Sequence, residues 1–268
     1  MKIPRSSTCS RCCSNDLCNT DCWKTNLSGT TTTSTAKSTI TLDTTVMATI
    51  TTATTTLATT TSEGNPKECS DIHFDKHGVF TIYPKGDIKP KSVYCMILDG
   101  VKWTVNQWRF NGSIDFNRTW NEYREGFGNV NTEYWLGNKH IHSLTTNEQH
   151  KLHIHLQGKD GTVKYADYLS FHVSNEGSKY LLNVTSYSGI AGDCLNNREN
   201  KTAFSTKDQE NMENEHHGIN CAKSYSSGWW YKACYDCNLN EYGRYGPLWR
   251  YNIRERFLKA TIMMISKV

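Results

Sequence analysis

Residues 78–110 read GVFTIYPKGDIKPKSVYCMILDGVKWTVNQWRF. Within that run GVFTIYP (78–84), SVYCMI (92–97) and KWTVNQWRF (102–110) alternate apolar with polar side chains, the period of strands buried on one face. Short segments rich in Gly, Asp and Lys separate them, as hairpin connections do. The same pattern returns in KLHIHLQ (151–157), KYADYLSFHV (164–173) and KYLLNVTSY (179–187). Helical signals are briefer: TWNEYREGFG (119–128), closed by glycine, and TTNEQHK (145–151). Strands outnumber helices and do not alternate with them, so a doubly wound parallel sheet is excluded and an antiparallel α+β domain is expected.

Working outward, the composition changes at Gly64-Asn65-Pro66. Residues 27–62 are dominated by threonine and are nearly uncharged. Their aliphatic residues (Ile40, Leu42, Val46, Met47, Ile50, Leu57) follow no period, so no apolar face offsets the entropy of ordering. A disordered, mucin-like stalk stiffened by O-linked sugars is expected here, or a flexible linker if the sugars are absent. Earlier still, CSRCCSNDLCNTDC (9–22) is dense enough in cysteine to need disulfides or metal. Its part CCSNDLCN (12–19) resembles the C-terminal signature of three-finger domains, which implies a Cys13–Cys18 bridge and leaves Cys12 without its partner; a zinc knuckle is the alternative. The organisation expected is a Cys-rich three-finger remnant over 1–26, a Thr-rich linker over 27–66 and a folded domain over 67–268.

A net charge of +4 is too weak to imply a nucleic-acid partner, and no basic cluster interleaves with aromatics. Eleven cysteines, together with Asn-x-Ser/Thr acceptors at Asn26, Asn111, Asn117, Asn183 and Asn200, point to an oxidising, secreted setting. The odd count leaves at least one thiol unpaired, joined to another chain, or parted from a mate upstream. MKIPRSSTCSRCC lacks the apolar core of a signal peptide and no run approaches the ~18 apolar residues of a membrane span, so secretion implies sequence before Met1. There is no nucleophile elbow, phosphate-binding glycine loop or HExxH, and the chain is read as non-enzymatic. His153 and His155 share a strand face, yet no third ligand stands at a defined spacing, so satisfied histidines are expected there.

Function is expected in FSTKDQENMENEHHGINCAKSYSSGWWYKACYDCNLN (204–240). Asp208, Glu210, Asn211, Glu213, Asn214 and Glu215 offer oxygen ligands for a hard cation such as calcium, or form a solvated loop. Tyr225, Trp229, Trp230, Tyr231 and Tyr235 follow in a cysteine-bounded loop, which reads as a rigid, water-accessible aromatic surface for a small ligand; the alternative is that these rings, Trp229 and Trp230 above all, are packing residues only.

ECSDI (68–72), GVFTIYP, VYCMI (93–97), the run from Trp103 through Gly112-Ser113-Ile114-Asp115-Phe116, GFG (126–128), EYWLGNKHIHSLT (133–145), YSGIAGDC (187–194) and FSTKDQEN (204–211) together resemble the fibrinogen C-terminal domain. Ficolins, tachylectins, angiopoietins and tenascins share that domain. The resemblance is continuous from Cys69 to Ile265 and implies an α+β fold around a twisted antiparallel sheet, with a calcium and ligand subdomain near the C-terminus. It implies calcium ligands at Asp208, at Glu210 in place of the usual second aspartate, and at the carbonyls of Met212 and Asn214. The longer glutamate and the neutral Met212 lower the charge of that site. It implies Cys69–Cys95 and Cys221–Cys234 disulfides, and a ligand pocket formed by Tyr225, a cis Ala233–Cys234 peptide, Tyr235 and Tyr251. Tyr235 stands where the family usually has histidine, so titration near neutrality is lost. Cys194 and Cys237 are extra and are expected to pair, stiffening the pocket rim. The first expectation is therefore a secreted, calcium-supported lectin for acetylated or anionic carbohydrates on microbial or cell surfaces, serving innate recognition. The alternative is a protein-binding ligand or matrix module of the angiopoietin or tenascin kind, with protein receptors as partners. Single sugar sites are weak, so oligomers are expected, built through upstream sequence, an unpaired cysteine or the domain surface.

Overall fold

The computed structural model describes residues 64–86, 89–212, 219–232, 234, 236–241, 246–250 and 257–268. The Cys-rich segment with Cys13–Cys18 and the Thr-rich stretch lie outside the described residues. The chain divides after Gly64, and the folded unit is Asn65–Val268.

In chain order the strands are β1 (Gly78–Ile82), β2 (Lys91–Leu98), β3 (Val101–Arg109), β4 (Phe127–Gly128), β5 (Tyr134–Trp135), β6 (His150–Gly158), β7 (Val163–Val173), β8 (Leu182–Gly189), β9 (Cys237–Asn238), β10 (Leu248–Trp249) and β11 (Leu258–Lys267). Helices are few and short: α1 (Trp120–Glu125), α2 (Asn138–Thr145) and α3 (Cys221–Ser224), with one π-turn at Leu195–Glu199. The main sheet runs β1-β2-β3-β11-β6-β7-β8, antiparallel at every step, and β9 pairs with β10 apart from it. Since β11 takes one edge of β3, β5 takes over the other edge beyond the reach of β2. This is the α+β architecture that the strand pattern dictates.

The central strand is the one that alternation does not reveal. LKATIMMISK (258–267) is buried along almost its whole length because β3 and β6 flank it and both of its faces are covered. A strand buried on both faces reads as a continuous apolar run, without a period of 2. The helix expected over 145–151 is absent; α2 ends at Thr145, and from His150 the backbone belongs to the β6 ladder with β7 and β11. The strand expected from Lys179 begins at Leu182, after a 3-10 turn and two left-handed residues, Lys179 and Tyr180 (φ 56° and 50°).

The N-terminal edge of the domain is clasped by charge and by Cys69–Cys95. Lys267 on β11 reaches Asp71 (2.9 Å), Glu148 (3.1 Å) and Glu68 (3.4 Å). Both ring nitrogens of buried His150 face oxygens, Glu68 Oε1 at 3.1 Å and the Glu148 carbonyl at 2.9 Å. Burial depresses that imidazole, but the hydrogen bond and charge of Glu68 outweigh it and hold its pKa above the ordinary value.

On the far side, α1 starts with a capping box in which Thr119 and Glu122 satisfy each other's backbone N–H groups. It ends at Gly126 (φ 90°), where any Cβ would collide with the Leu136 carbonyl. Trp120 and Tyr123 thereby point into an aromatic hub around Phe204, whose ring centre lies 5.2 Å from Tyr123, 6.0 Å from Trp135 and 5.2 Å from Trp230. The hub joins the sheet to the segment that follows.

Candidate functional site

The acidic loop grows directly out of the Phe204 hub. Thr206 and Gln209 exchange backbone hydrogen bonds (2.8 and 3.1 Å), and Asn211 donates to Ser205 Oγ and to the Phe204 carbonyl. Asp208 and Glu210 are exposed and Met212 is half-buried; Asn214 lies outside the described residues. Asp208 Oδ1 accepts from Trp120 N (2.9 Å) and Thr206 Oγ1 (2.8 Å). One carboxylate oxygen therefore holds the first N–H of α1, which favours negative charge there. Asp208 and Glu210 carry hard oxygen donors of the kind that calcium takes.

Ser205 and Trp229 exchange N–H···O bonds at 2.9 and 3.1 Å, which lays the acidic loop beside the cysteine-bounded loop. That second loop opens with Asn220, whose Oδ1 caps α3 through Lys223 N at 2.8 Å. Cys221 pairs with Cys234, and half-exposed Tyr225 ends α3. Cys234 is half-buried with φ 50°; Ala233, Tyr235 and Tyr251 lie outside the described residues, and so does the peptide entering Cys234.

Three of the five aromatics expected on a water-accessible surface are interior; Tyr225 is half-exposed and Tyr235 lies outside the described residues. Trp229, Trp230 and Tyr231 are each 0% exposed. Trp230 packs edge-on to Phe204 and donates Nε1–H to the Tyr180 carbonyl at 2.8 Å. The Tyr231 hydroxyl donates to the Ser227 carbonyl (2.9 Å) and accepts from Asn238 Nδ2 (3.0 Å). Large aromatics fill the gap between sheet and loops, where each buries more area than any small residue would. Among the described residues, the side chains left outside around the loop include Ile219 (52% exposed), Lys223, Ser224, Lys232 and, in part, Tyr225.

Several anchors of this region escaped the sequence reading. Gln107 on β3 donates Nε2–H to the Leu239 carbonyl (2.8 Å) and accepts from Thr261 Oγ1 on β11 (3.1 Å). Arg109 donates to the carbonyls of Asn240 (2.9 Å) and Glu241 and lies over the Phe116 ring. Glu133 accepts four backbone N–H groups, from Phe110, Asn111, Gly112 and Ile114, and so folds the loop after β3. For Gln107 and Arg109 the available signal was polar residues in buried positions of a strand, since buried polar groups require partners.

Cys194 and Cys237 are bonded, tying the π-turn to β9. Beneath that bridge Glu199 is fully buried and accepts from Asp236 N (3.1 Å) and Cys237 N (3.2 Å). Burial pushes its carboxyl up to about 8, against the pull of the two N–H groups. His153 donates Nδ1–H to Asp167 Oδ1 at 2.6 Å and packs against the rings of Trp103 and Tyr165.

Residues 65–255 match the family described as fibrinogen beta and gamma chains, C-terminal globular domain. The chain belongs to this family. The fibrinogen-like globe is 38% identical over 213 residues to angiopoietin-1 of Bos taurus, an alignment covering 74% of this chain and 42% of that protein. It is 41% identical over 196 residues to fibrinogen-like protein 1 of Rattus norvegicus, covering 67% and 62%. The chain thus spans less than two thirds of either relative. Among solved structures, the fibrinogen-like globe domain of human ANGPTL2 superposes with a TM-score of 0.69 at 32% identity, covering 75% of this chain and 99% of that one. Lamprey fibrin D-dimer complexed with the peptide ligand Gly-His-Arg-Pro-amide gives 0.69 at 31%, covering 75% and 73%. Membership of this family and the disulfides place the globe outside the cell. Among the described residues no helix is long and apolar enough to cross a membrane.

Proposed function

We propose that this chain is a non-enzymatic extracellular recognition module whose fibrinogen-like globe engages a protein partner through the surface around the Cys221–Cys234 loop. The observation that carries this reading is the burial of Trp229, Trp230 and Tyr231. With those rings interior, the side chains exposed around the loop, among the described residues, include Ile219, Lys223, Lys232 and, in part, Tyr225, a mixture of apolar, aromatic and cationic groups that suits a protein face. The relatives angiopoietin-1 and fibrinogen-like protein 1, and a lamprey neighbour with a bound peptide, support it.

A second reading, calcium-supported binding of acetylated sugars, draws on half-exposed Tyr225 beside a loop bearing exposed Asp208 and Glu210. It ranks below the first because the neighbouring aromatics are interior. Calcium, where bound, would be held by the free oxygens of Asp208 and Glu210, and would brace the loop.

The two readings separate in one binding experiment with labelled full-length chain on a panel of cultured cells and on immobilised N-acetylglucosamine. The protein-binding reading expects cell binding that surface protease abolishes and free N-acetylglucosamine leaves intact. Retention on the sugar matrix, lost in chelator and in Tyr225→Ala, would overturn it in favour of the sugar reading.

A further inference from the structure

Two cysteines and one carboxyl that serve no ligand surface converge in the interior of the globe. The Glu199 carboxylate and the sulfurs of Cys194 and Cys237 lie within 4.8 Å of one another, each on a side chain with 0% exposure. Glu199 Oε2 is 3.9 Å from Cys194 Sγ. Its other oxygen, Oε1, accepts from Asp236 N and Cys237 N, so the carboxylate is fixed with one edge toward the sulfurs. Such outer hydrogen bonds are what orient a ligating carboxylate.

We propose that the Cys194–Cys237 disulfide is the oxidised form of a buried Cys2Glu site that, once opened by a dithiol, takes a thiophilic divalent ion such as zinc. At a Zn–S distance of about 2.3 Å a tetrahedral site has an S···S edge of about 3.8 Å and an S···O edge of about 3.5 Å. The existing Cys194 Sγ to Glu199 Oε2 separation is already close to that edge. The Cα atoms of the two cysteines are 6.1 Å apart, so rotation about the Cα–Cβ bonds re-aims the sulfurs without moving either element. Three protein ligands leave the fourth position to water or an added thiol.

The chemistry balances in two steps. A dithiol attacks one sulfur, forms a mixed disulfide and closes on itself; it loses two electrons, and Cys194 and Cys237 each leave as a thiol. Zinc then displaces the two thiol protons and any proton on Glu199, with no further electron transfer. Disulfide and metal are therefore exclusive locks on the same joint between the π-turn and β9.

Cobalt(II) is the probe. The full-length chain carries Ser at Cys9, Cys12, Cys13, Cys18 and Cys22, so that those thiols do not compete, and a phosphine keeps it reduced. The expected result is one cobalt per chain, with a thiolate charge-transfer band and intense tetrahedral visible bands that zinc bleaches. The bands vanish when Cys194→Ser and Cys237→Ser are added, weaken about tenfold or more in affinity with Glu199→Gln, and persist with Cys221→Ser plus Cys234→Ser. No bands in the reduced parent, or equal bands in the Cys194→Ser, Cys237→Ser variant, would overturn the proposal. If reduction unfolds the globe, binding is coupled to folding, and zinc must restore the far-ultraviolet β signal in the parent but not in that variant; failure to restore it overturns the proposal equally.

Discussion

Between β2 and β8 backbone pairs with backbone, strand after strand, and every register follows from which residues face inward. From Phe204 to Trp249 the regular pairing shrinks, among the described residues, to the two-residue β9–β10 ladder and isolated bridges. There the chain is held by side chains instead: Gln107 and Arg109 reaching out from the sheet, Asn238 inside the loop, Glu199 under Asp236 and Cys237, and two disulfides. A ladder spreads its energy over many equivalent bonds. Staples concentrate it in a few residues, and leave the intervening loop free to present varied surface.

The largest effect should come from the sheet, where a local loss is felt globally. Ile262→Ala hollows the middle of the central strand, with a cost of about 2–5 kcal/mol. Calorimetry should show the melting temperature of the whole globe lowered by roughly 10 °C, in one transition. Loss of only the loop region would mean that β11 is not the common core.

Removing a staple should cost somewhat less and act locally. Cys221→Ser with Cys234→Ser frees a short loop, worth about 3 kcal/mol on chain entropy. Hydrogen exchange should rise in 219–241 while the β6 and β7 amides keep their protection. Uniform loss of protection would erase the distinction between the two regions.

The smallest effect concerns pH, and here the two regions have opposite signs. Burial lowers His155 on β6 to about 4 from 6.5, with His153 adding to the shift. Its contribution is complete above pH 6.5 and is lost as pH falls toward 4. Glu199, raised to about 8 from 4.5, acts in reverse: in the oxidised protein its contribution is complete below pH 4.5 and is lost as pH rises through 8. Each is on the order of a few kcal/mol at most. His155→Gln should flatten the acid limb of a melting-temperature profile by several degrees, and Glu199→Gln the alkaline limb. The same change on both limbs from either variant would refute this division.

The contrast also explains what was legible in the sequence. KYADYLSFHV announces itself because one face meets water and the other does not, whereas KLHIHLQ is buried on both faces and alternates only because His153 and His155 stand opposite Leu152, Ile154 and Leu156. The central β11 hides because it has no wet face. Trp229 and Trp230 read two ways because a Gly-Ser setting suggests exposure, and the packing alternative is the one they take: the neighbouring small residues let the rings inside, and Gly228 itself has no room for a Cβ against Tyr123 and Phe204. Gln107, Arg109 and Thr261 hold residues more than a hundred positions distant, or each other across the sheet, and no local pattern encodes such a partner.

The central claim is that recognition belongs to the stapled region and not to the sheet. Its most direct test is quantitative cell-surface binding of two full-length variants that retain the parent melting temperature. One is Ile219→Ser with Lys223→Ala and Tyr225→Ala on the loop; the other is Tyr165→Ser with Leu169→Ser, which removes two of the exposed apolar residues of β7 (38% and 55% exposed). Binding at least tenfold weaker in the first and unchanged in the second is the predicted result. The reverse pattern would contradict the account and move the recognition surface to the sheet.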